Sequence, residues 1–145
     1  MSFKKILIAV DESSFAAHAA EAGLELAREL RADVAFVTVI DPANMRFTAE
    51  SGVAEDRWYA MEQSKAKNLL NSFMARAETL RPPLEFIEVG AAADMIVAAA
   101  KSLPADLIVM GTHGRGALTT LFMGSVAQGV LRHAPCPVMV IRAQQ

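Results

Sequence analysis

Three glycines and a serine in the last third of the chain have a spacing that indicates chemistry. Gly111 and Gly114 are three positions apart, and nine residues separate Gly114 from Gly124-Ser125. The apolar run Leu107–Met110 directly before them is typical of a buried strand. Glycines at a strand end either allow a very close approach of another group or adopt positive φ. Because Ser125 begins a predicted helix, whose N-terminal N–H groups suit an anion, the pattern predicts a cradle for nucleotide phosphates.

Other motifs for phosphate, metal or hydrolytic chemistry do not fit. Ala117 stands where a Walker loop beginning at Gly111 needs its lysine. No G-x-G-x-x-G follows the first apolar run, which argues against a dinucleotide site. No Cys/His cluster has metal-ligand spacing, and neither H-E-x-x-H nor G-x-S-x-G occurs. We therefore expect no catalytic residue and no metal site made by the protein alone.

Composition narrows the class of protein further. With 145 residues and 53% hydrophobic residues, the chain is expected to form one domain, residues 1–145, with a well-buried sheet. The net charge of −2 gives no electrostatic reason to expect binding to nucleic acid. One cysteine, Cys136, excludes an internal disulfide framework and fits a reducing compartment. No apolar run approaches the length of a membrane span, and we expect a cytoplasmic location.

Apolar runs alternate along the chain with segments of helical periodicity. The first helix is predicted to bury a stripe of five apolar side chains, and Ser13 or Ser14 is its expected N-cap. The segment between residues 41 and 55 shows no clear periodicity. The predicted strands are 6–10, 34–40, 84–89, 107–110 and 137–142; the predicted helices are 13–30, 56–80, 92–103 and 125–133; the stripe is Phe15, Ala19, Ala22, Leu26 and Leu30.

This alternation predicts an α/β fold with a doubly wound, five-stranded parallel sheet and helices on both faces. In the strand order 3-2-1-4-5 the direction of winding reverses between strands one and four, and ligands bind at such a switch point beyond the carboxyl ends of the strands. Asp11 follows strand one and Gly111 follows strand four. The two motifs are therefore expected to meet where the fold favours a ligand.

The chain resembles the universal stress protein family over nearly its whole length. The most specific matches are residues 109–116, Gly124-Ser125-Val126 and residues 130–138, and residues 6–13 agree with the family's first strand and turn. The ATP-binding branch of the family carries G-x2-G-x9-G-[ST], which this chain matches at every position. The resemblance implies a Rossmann-like fold, similar to the adenine nucleotide alpha hydrolases, and an ATP-binding regulatory module of the stress response.

The resemblance also implies roles for individual residues. ATP, or AMP or ADP as the bound form, is expected with Mg²⁺ or Mn²⁺ held through its phosphates. The position that meets adenine through its backbone corresponds to Val39, and Met110 is expected beside the base or ribose. Asp11 is expected near the ribose and phosphates. The phosphates and ribose are expected to contact Gly111, Gly114, Gly124, Ser125 and the N–H of Val126.

Several alternatives stay open at this stage. Asp11 is either a ligand-binding residue or a cap of the first helix, and the two roles are compatible. Arg115 either contacts phosphate or is a solvated loop charge. Glu12 replaces a glycine common in the family and adds negative charge near the phosphates. His113, between the glycines, is expected to be a solvent-facing loop histidine, because no paired carboxylate or nucleophile accompanies it.

Three functions are compatible with the sequence, and the first is favoured. They are an ATP-binding regulatory module with a protein partner that the sequence does not name, a slow ATPase or autophosphorylating protein, and a dimeric scaffold that binds no nucleotide. The intact glycines argue against the scaffold, and the absence of a Walker lysine or a strong general base argues against the ATPase. Strand five, residues 138–142, is an apolar edge that we expect to pair with a second copy in a homodimer.

Overall fold

The computed structural model describes residues 2–45, 52–77, 79, 81–113 and 123–142. Five parallel strands form one sheet in the order β3-β2-β1-β4-β5, which confirms the predicted fold class. Among these residues no helix has the length and apolar character to cross a membrane. The strands are β1 (Lys5–Ala9), β2 (Asp33–Ile40), β3 (Leu84–Val89), β4 (Leu107–Gly111) and β5 (Val138–Ile141); the helices are α1 (Ser14–Leu30), α2 (Glu55–Met74), α3 (Ala92–Ser102) and α4 (Ser125–His133).

Alternate residues of the central strands face two separate core layers. Ile6 and Ile8 of β1 lie in the layer formed with α1 and α2, where Phe36 of β2 stacks against Phe73 of α2 with ring centroids 5.9 Å apart. Leu7 of β1 lies in the layer formed with α3 and α4. Because both faces of the central strands are covered, these strands are continuous apolar runs rather than alternating ones.

Helix α1 packs mainly through small side chains, so the predicted stripe is confirmed only in part: Ala19 is buried, and Leu26 packs partly buried against the core. Of the five predicted residues only Ala19 is fully buried, and Leu30 is 44% exposed. A Cβ on Gly23 would lie 2.8 Å from Cδ1 of Ile8, so the helix packs close to the sheet and a larger residue here would force that side chain to shift. The buried face consists of Ala16, Ala19, Ala20, Gly23, Leu24 and Ala27.

Helix α2 ends at Met74, six residues before the predicted end at Leu80. Its last buried side chain is Phe73. The N–H groups of Arg76 and Ala77 then donate to carbonyls only three residues back, which tightens the backbone into turns. Met74 and Ala77 still pack partly buried against the core, but from these turns rather than from a continued helix, and the helix ends well before the two prolines that suggested its end.

Candidate functional site

A cavity of about 460 Å³ lies at the carboxyl ends of β1, β2 and β4, at the switch point of the sheet. This volume falls within the range of ~300–1,000 Å³ usual for small-molecule sites. The cavity has an apolar part between the strands and α3, formed by Ala9, Val37, Val39, Ile96 and Met110. Its other parts are polar or rich in glycine, which is the composition expected of a site for a ligand with one apolar and one charged end.

The start of α4 forms one wall of the cavity through residues 124–127. Gly124 is the N-cap and has extended backbone angles, and no side chain of the described residues caps the helix. The first turn also contains no acidic residue. The N–H groups of Ser125, Val126 and Ala127 precede the first intrahelical bond, from Gln128 N–H to the Gly124 carbonyl. This helix end therefore offers free donors and partial positive charge to an anion.

In each of the other described helices, a side chain either caps the N-terminus or places a negative charge in the first turn. Ser13 is the N-cap of α1, as predicted, and its Oγ accepts from the N–H of Ala16 at 3.2 Å. Helix α2 has Glu55 and Asp56 in its first turn, and α3 has Asp94. Among the four described α-helices, only α4 has neither a capping side chain nor a first-turn carboxylate.

Gly124 fixes α4 against the end of β4. Its N–H donates to the carbonyl of Thr112 at 2.7 Å. A Cβ on Gly124 would lie 3.1 Å from that same carbonyl oxygen and 3.4 Å from Cα of His113. Glycine is therefore favoured here by the close approach of two backbone segments, which a side chain would have to push apart by a few tenths of an ångström; its φ of −66° is open to any residue.

Gly111 has a different neighbour from the one that the motif predicts. It lines the cavity, but a Cβ at this position would lie 3.0 Å from both Cβ and the carbonyl oxygen of Phe15, in the first turn of α1. Because Gly111 has no side chain, β4 can pack closely against α1. The part of Gly111 that lines the cavity is its backbone.

Carboxylates line the mouth of the cavity. Asp11 accepts from the N–H of Ser13 at 2.8 Å, so it helps to fix the turn into α1 while lining the cavity with Glu12. Asp41 and Asn44 line it from a 3-10 turn, Pro42–Asn44, in the segment for which the sequence showed no periodicity. Within the described chain, no group of three or more His, Cys, Asp or Glu side chains is arranged to hold a metal ion.

The structure brings together seven of the nine site residues that the sequence predicted: Asp11, Val39, Met110, Gly111, Gly124, Ser125 and Val126 all line the cavity. Gly114 and Arg115 lie outside the described residues, and their roles stay predictions. The sequence analysis missed Thr38, Asp41, Asn44 and Thr112, and it placed His113 in solvent, whereas all five line the cavity. Thr38 is the one buried polar residue of the described chain, and its position next to Val39 at the end of β2 was the available signal.

Comparison with known proteins places this architecture in a family. The sequence model of the universal stress protein family matches residues 2–142. The chain belongs to the universal stress protein family. Universal stress protein MJ0531 of Methanocaldococcus jannaschii is 32% identical over 145 residues, an alignment that covers 97% of this chain and 82% of that protein. The structure of protein MJ0577 is 26% identical, with a TM-score of 0.87 and coverage of 100% of this chain and 99% of the other.

Two solved universal stress proteins contain a bound adenine nucleotide. One is from Archaeoglobus fulgidus, in complex with dAMP, with 22% identity, a TM-score of 0.65 and coverage of 97% and 99% of the two chains. The other is in complex with cAMP, with 21% identity, a TM-score of 0.68 and coverage of 98% of both chains. At these identities the likeness to this universal stress protein is one of fold.

Proposed function

We propose that this chain binds ATP in the switch-point cavity and acts as a nucleotide-dependent regulatory module. The main support for the proposal is the N-terminus of α4, which lines the cavity and has neither a first-turn carboxylate nor a capping side chain among the described residues. A phosphate is the chemical group that such a helix end binds best. The adjoining apolar part of the cavity suits a base, so the ligand is a nucleotide rather than a free anion.

We propose a place in the lining for each part of the nucleotide. The N–H groups of Ser125 and Val126 and the Ser125 hydroxyl bind phosphate oxygens. Val39 contacts adenine through its backbone at the end of β2, with Met110 packed beside the base or ribose. Asp11 accepts hydrogen bonds from the ribose hydroxyls, as a carboxylate at this edge of a nucleotide-binding sheet commonly does. Gly114 and Arg115 are assigned to the phosphates by the family motif alone.

A divalent cation is part of the proposal, because the cavity is rich in negative charge. Asp11, Glu12 and Asp41 line it, and no lysine or arginine is among its described lining residues. A triphosphate therefore needs a counter-charge beyond the helix N-terminus. Mg²⁺ or Mn²⁺ bound to the phosphates, with one or two carboxylates as additional ligands, fits this oxygen-rich donor set and supplies that charge.

Binding rather than hydrolysis is the activity that this lining supports. Phosphoryl transfer is accelerated by lysine, arginine and metal groups that stabilise the charge developing on the transferred phosphate. The described lining offers no such cationic side chain from lysine or arginine. The adenine nucleotides in the two family members of similar fold agree with a binding role.

Isothermal titration calorimetry with Mg-ATP tests the proposal. We expect a dissociation constant of order micromolar, which corresponds to about −8 kcal/mol. Mass spectrometry of protein purified without added nucleotide is expected to detect a co-purified adenine nucleotide. Absence of both binding heat and a thermal shift at millimolar Mg-ATP, in protein shown to be free of bound nucleotide, would contradict the proposal.

A homodimer through β5 completes the proposal. β5 lies at the edge of the sheet and pairs with β4 in the described chain. It is wholly apolar in sequence, and Met139 is 36% exposed. Natural proteins rarely leave such an edge uncovered. The Thr112 N–H donates to the carbonyl of Ile141 at 3.1 Å, so a direct hydrogen bond joins the cavity wall to this edge.

Light scattering tests the dimer. We expect a mass of about 31 kDa, twice the 15.6 kDa of one chain. Val140→Lys is expected to shift the mass toward the monomer, because pairing would bury its charge. Leu84→Lys on the opposite edge strand is the matched control and leaves the mass unchanged. A wild-type monomer at tens of micromolar, a range in which specific dimers persist, would contradict this assembly.

A further inference from the structure

His113 is half-buried in the wall of the cavity, and not in solvent as its loop position in the sequence indicated. Its ring lies against that of Phe15, with centroids 5.2 Å apart and planes inclined at 44°. Its Cδ2 is 3.8 Å from the position that a Cβ on Gly124 would occupy. The imidazole thus lies between the first turn of α1 and the N-cap of α4, beside the donors assigned to phosphate.

The two ring nitrogens of His113 have different surroundings. Nδ1 is 3.0 Å from Oγ1 of Thr112, within hydrogen-bond distance. Nε2 is buried, and no described residue hydrogen bonds to it. Buried polar atoms are nearly always paired, and an unpaired one destabilises the fold unless another molecule supplies the partner. The only other such side-chain atom in the described chain, Oε2 of Glu85, belongs to β3 and does not line the cavity.

The chemistry of the lining indicates what that partner is. His113 and the amide of Asn44 supply the only side-chain N–H donors in the described lining. When the Thr112 hydroxyl donates to Nδ1, the ring hydrogen resides on Nε2, which is then a donor. Nε2–H therefore needs a hydrogen-bond acceptor close to the start of α4. A phosphate oxygen bound at that helix end is such an acceptor.

We propose that His113 is a phosphate-binding residue, with Nε2–H donating to a phosphate oxygen of the nucleotide and Thr112 holding the ring through Nδ1. The inference rests on the proposed function, because it needs a nucleotide in the cavity. Nε2 is bonded to Cδ2, the ring atom that already lies beside Gly124 at the start of α4. His113 then favours nucleotides with phosphate over the bare nucleoside.

Calorimetry with adenosine, AMP, ADP and ATP on three His113 variants tests this role. His113→Phe keeps the ring on Phe15 but removes both nitrogens, and His113→Asn places an amide near Nδ1 only. For both, we expect ATP affinity to fall about 10- to 100-fold, the range for one hydrogen bond to a charged group. Adenosine affinity is expected to change less than about twofold, a difference too small for a lost hydrogen bond. His113→Gln, whose amide reaches the place of Nε2, is expected to recover most of the loss for ATP.

Two controls separate this inference from the proposed function. His133→Asn alters an exposed histidine at the far end of α4 and is expected to bind all four ligands as wild type does. If wild type binds neither ATP nor adenosine, the proposed function and this inference both fail. If wild type binds ATP and the Phe and Asn variants bind it equally well, or lose adenosine affinity to the same extent, the inference alone is overturned.

Discussion

The two ends of the sheet differ in how they satisfy their polar groups. At the amino end, Oδ2 of Asp106 accepts the N–H groups of Lys4 and Lys5, at 2.9 and 3.0 Å. Arg81 pairs with Asp33 at 3.2 Å across the starts of β2 and β3. At the carboxyl end, the first turn of α4 and Nε2 of His113 have no side-chain partner among the described residues.

This difference distinguishes an end with a structural role from the end at which we propose the function. The amino end also has a recess, but its lining consists mainly of exposed or half-buried polar and charged side chains. Helix α1 ends there with a cap made by its own backbone. In that cap Arg31 adopts the left-handed conformation, and its N–H donates to the carbonyls of Ala27 and Arg28. Polar groups that the chain satisfies itself stabilise the fold, whereas the donors that line the cavity at the carboxyl end are those on which the proposed nucleotide site rests.

The largest effect is expected at the amino end, on stability alone. Asp106→Ala removes the acceptor for two backbone N–H groups and is expected to lower the free energy of unfolding by about 2–3 kcal/mol. ATP affinity is expected to stay within about twofold of wild type, a change of less than 0.5 kcal/mol. Urea denaturation and calorimetry measure the two quantities. Asp106→Asn, which keeps one acceptor oxygen, is the matched control and loses less stability; a variant that lost affinity as well would show that the two ends are coupled.

At the carboxyl end we expect the reverse result, a loss of ATP affinity with little change in stability. Ser125→Ala removes a hydroxyl assigned to phosphate and is expected to weaken ATP binding by about 1–2 kcal/mol, while the free energy of unfolding changes by less than about 0.5 kcal/mol. Ser102→Ala, at the last residue of α3 and away from the cavity, serves as the control. An unchanged ATP affinity in Ser125→Ala would mean that the phosphates lie elsewhere.

The smallest effect concerns the thiol of Cys136. Burial, and secondarily the negative charge of Asp106, raise the pKa of Cys136 above its ordinary value of 9.0. At pH 8 the folded chain therefore holds less thiolate than the unfolded chain, and alkylation is slower. Asp106→Asn removes the secondary cause, so the rate of reaction with iodoacetamide is expected to rise only modestly. A rate equal to that of the unfolded chain would contradict the larger role of burial.

The strands and the switch point were predictable because they depend on apolar runs and chain order. The buried face of α1 was not, because Ala16, Ala20 and Gly23 carry little hydrophobic signal and matter through the close approach that they permit. Likewise, the sequence indicated that Gly111 is special but not that Phe15 is the reason. His113 was placed in solvent because no paired carboxylate or nucleophile accompanies it in the sequence, and its ring partner Phe15 lies far from it along the chain.

An NMR titration of uniformly ¹⁵N-labelled protein with Mg-ATP observes both ends of the sheet at once and shows which of them binds the nucleotide. We expect large amide shifts at Val39, Thr112, Ser125 and Val126, and shifts near zero at Lys5, Asp33 and Asp106. Saturable shifts centred on the amino-end residues, or no shifts at the start of α4, would contradict this expectation.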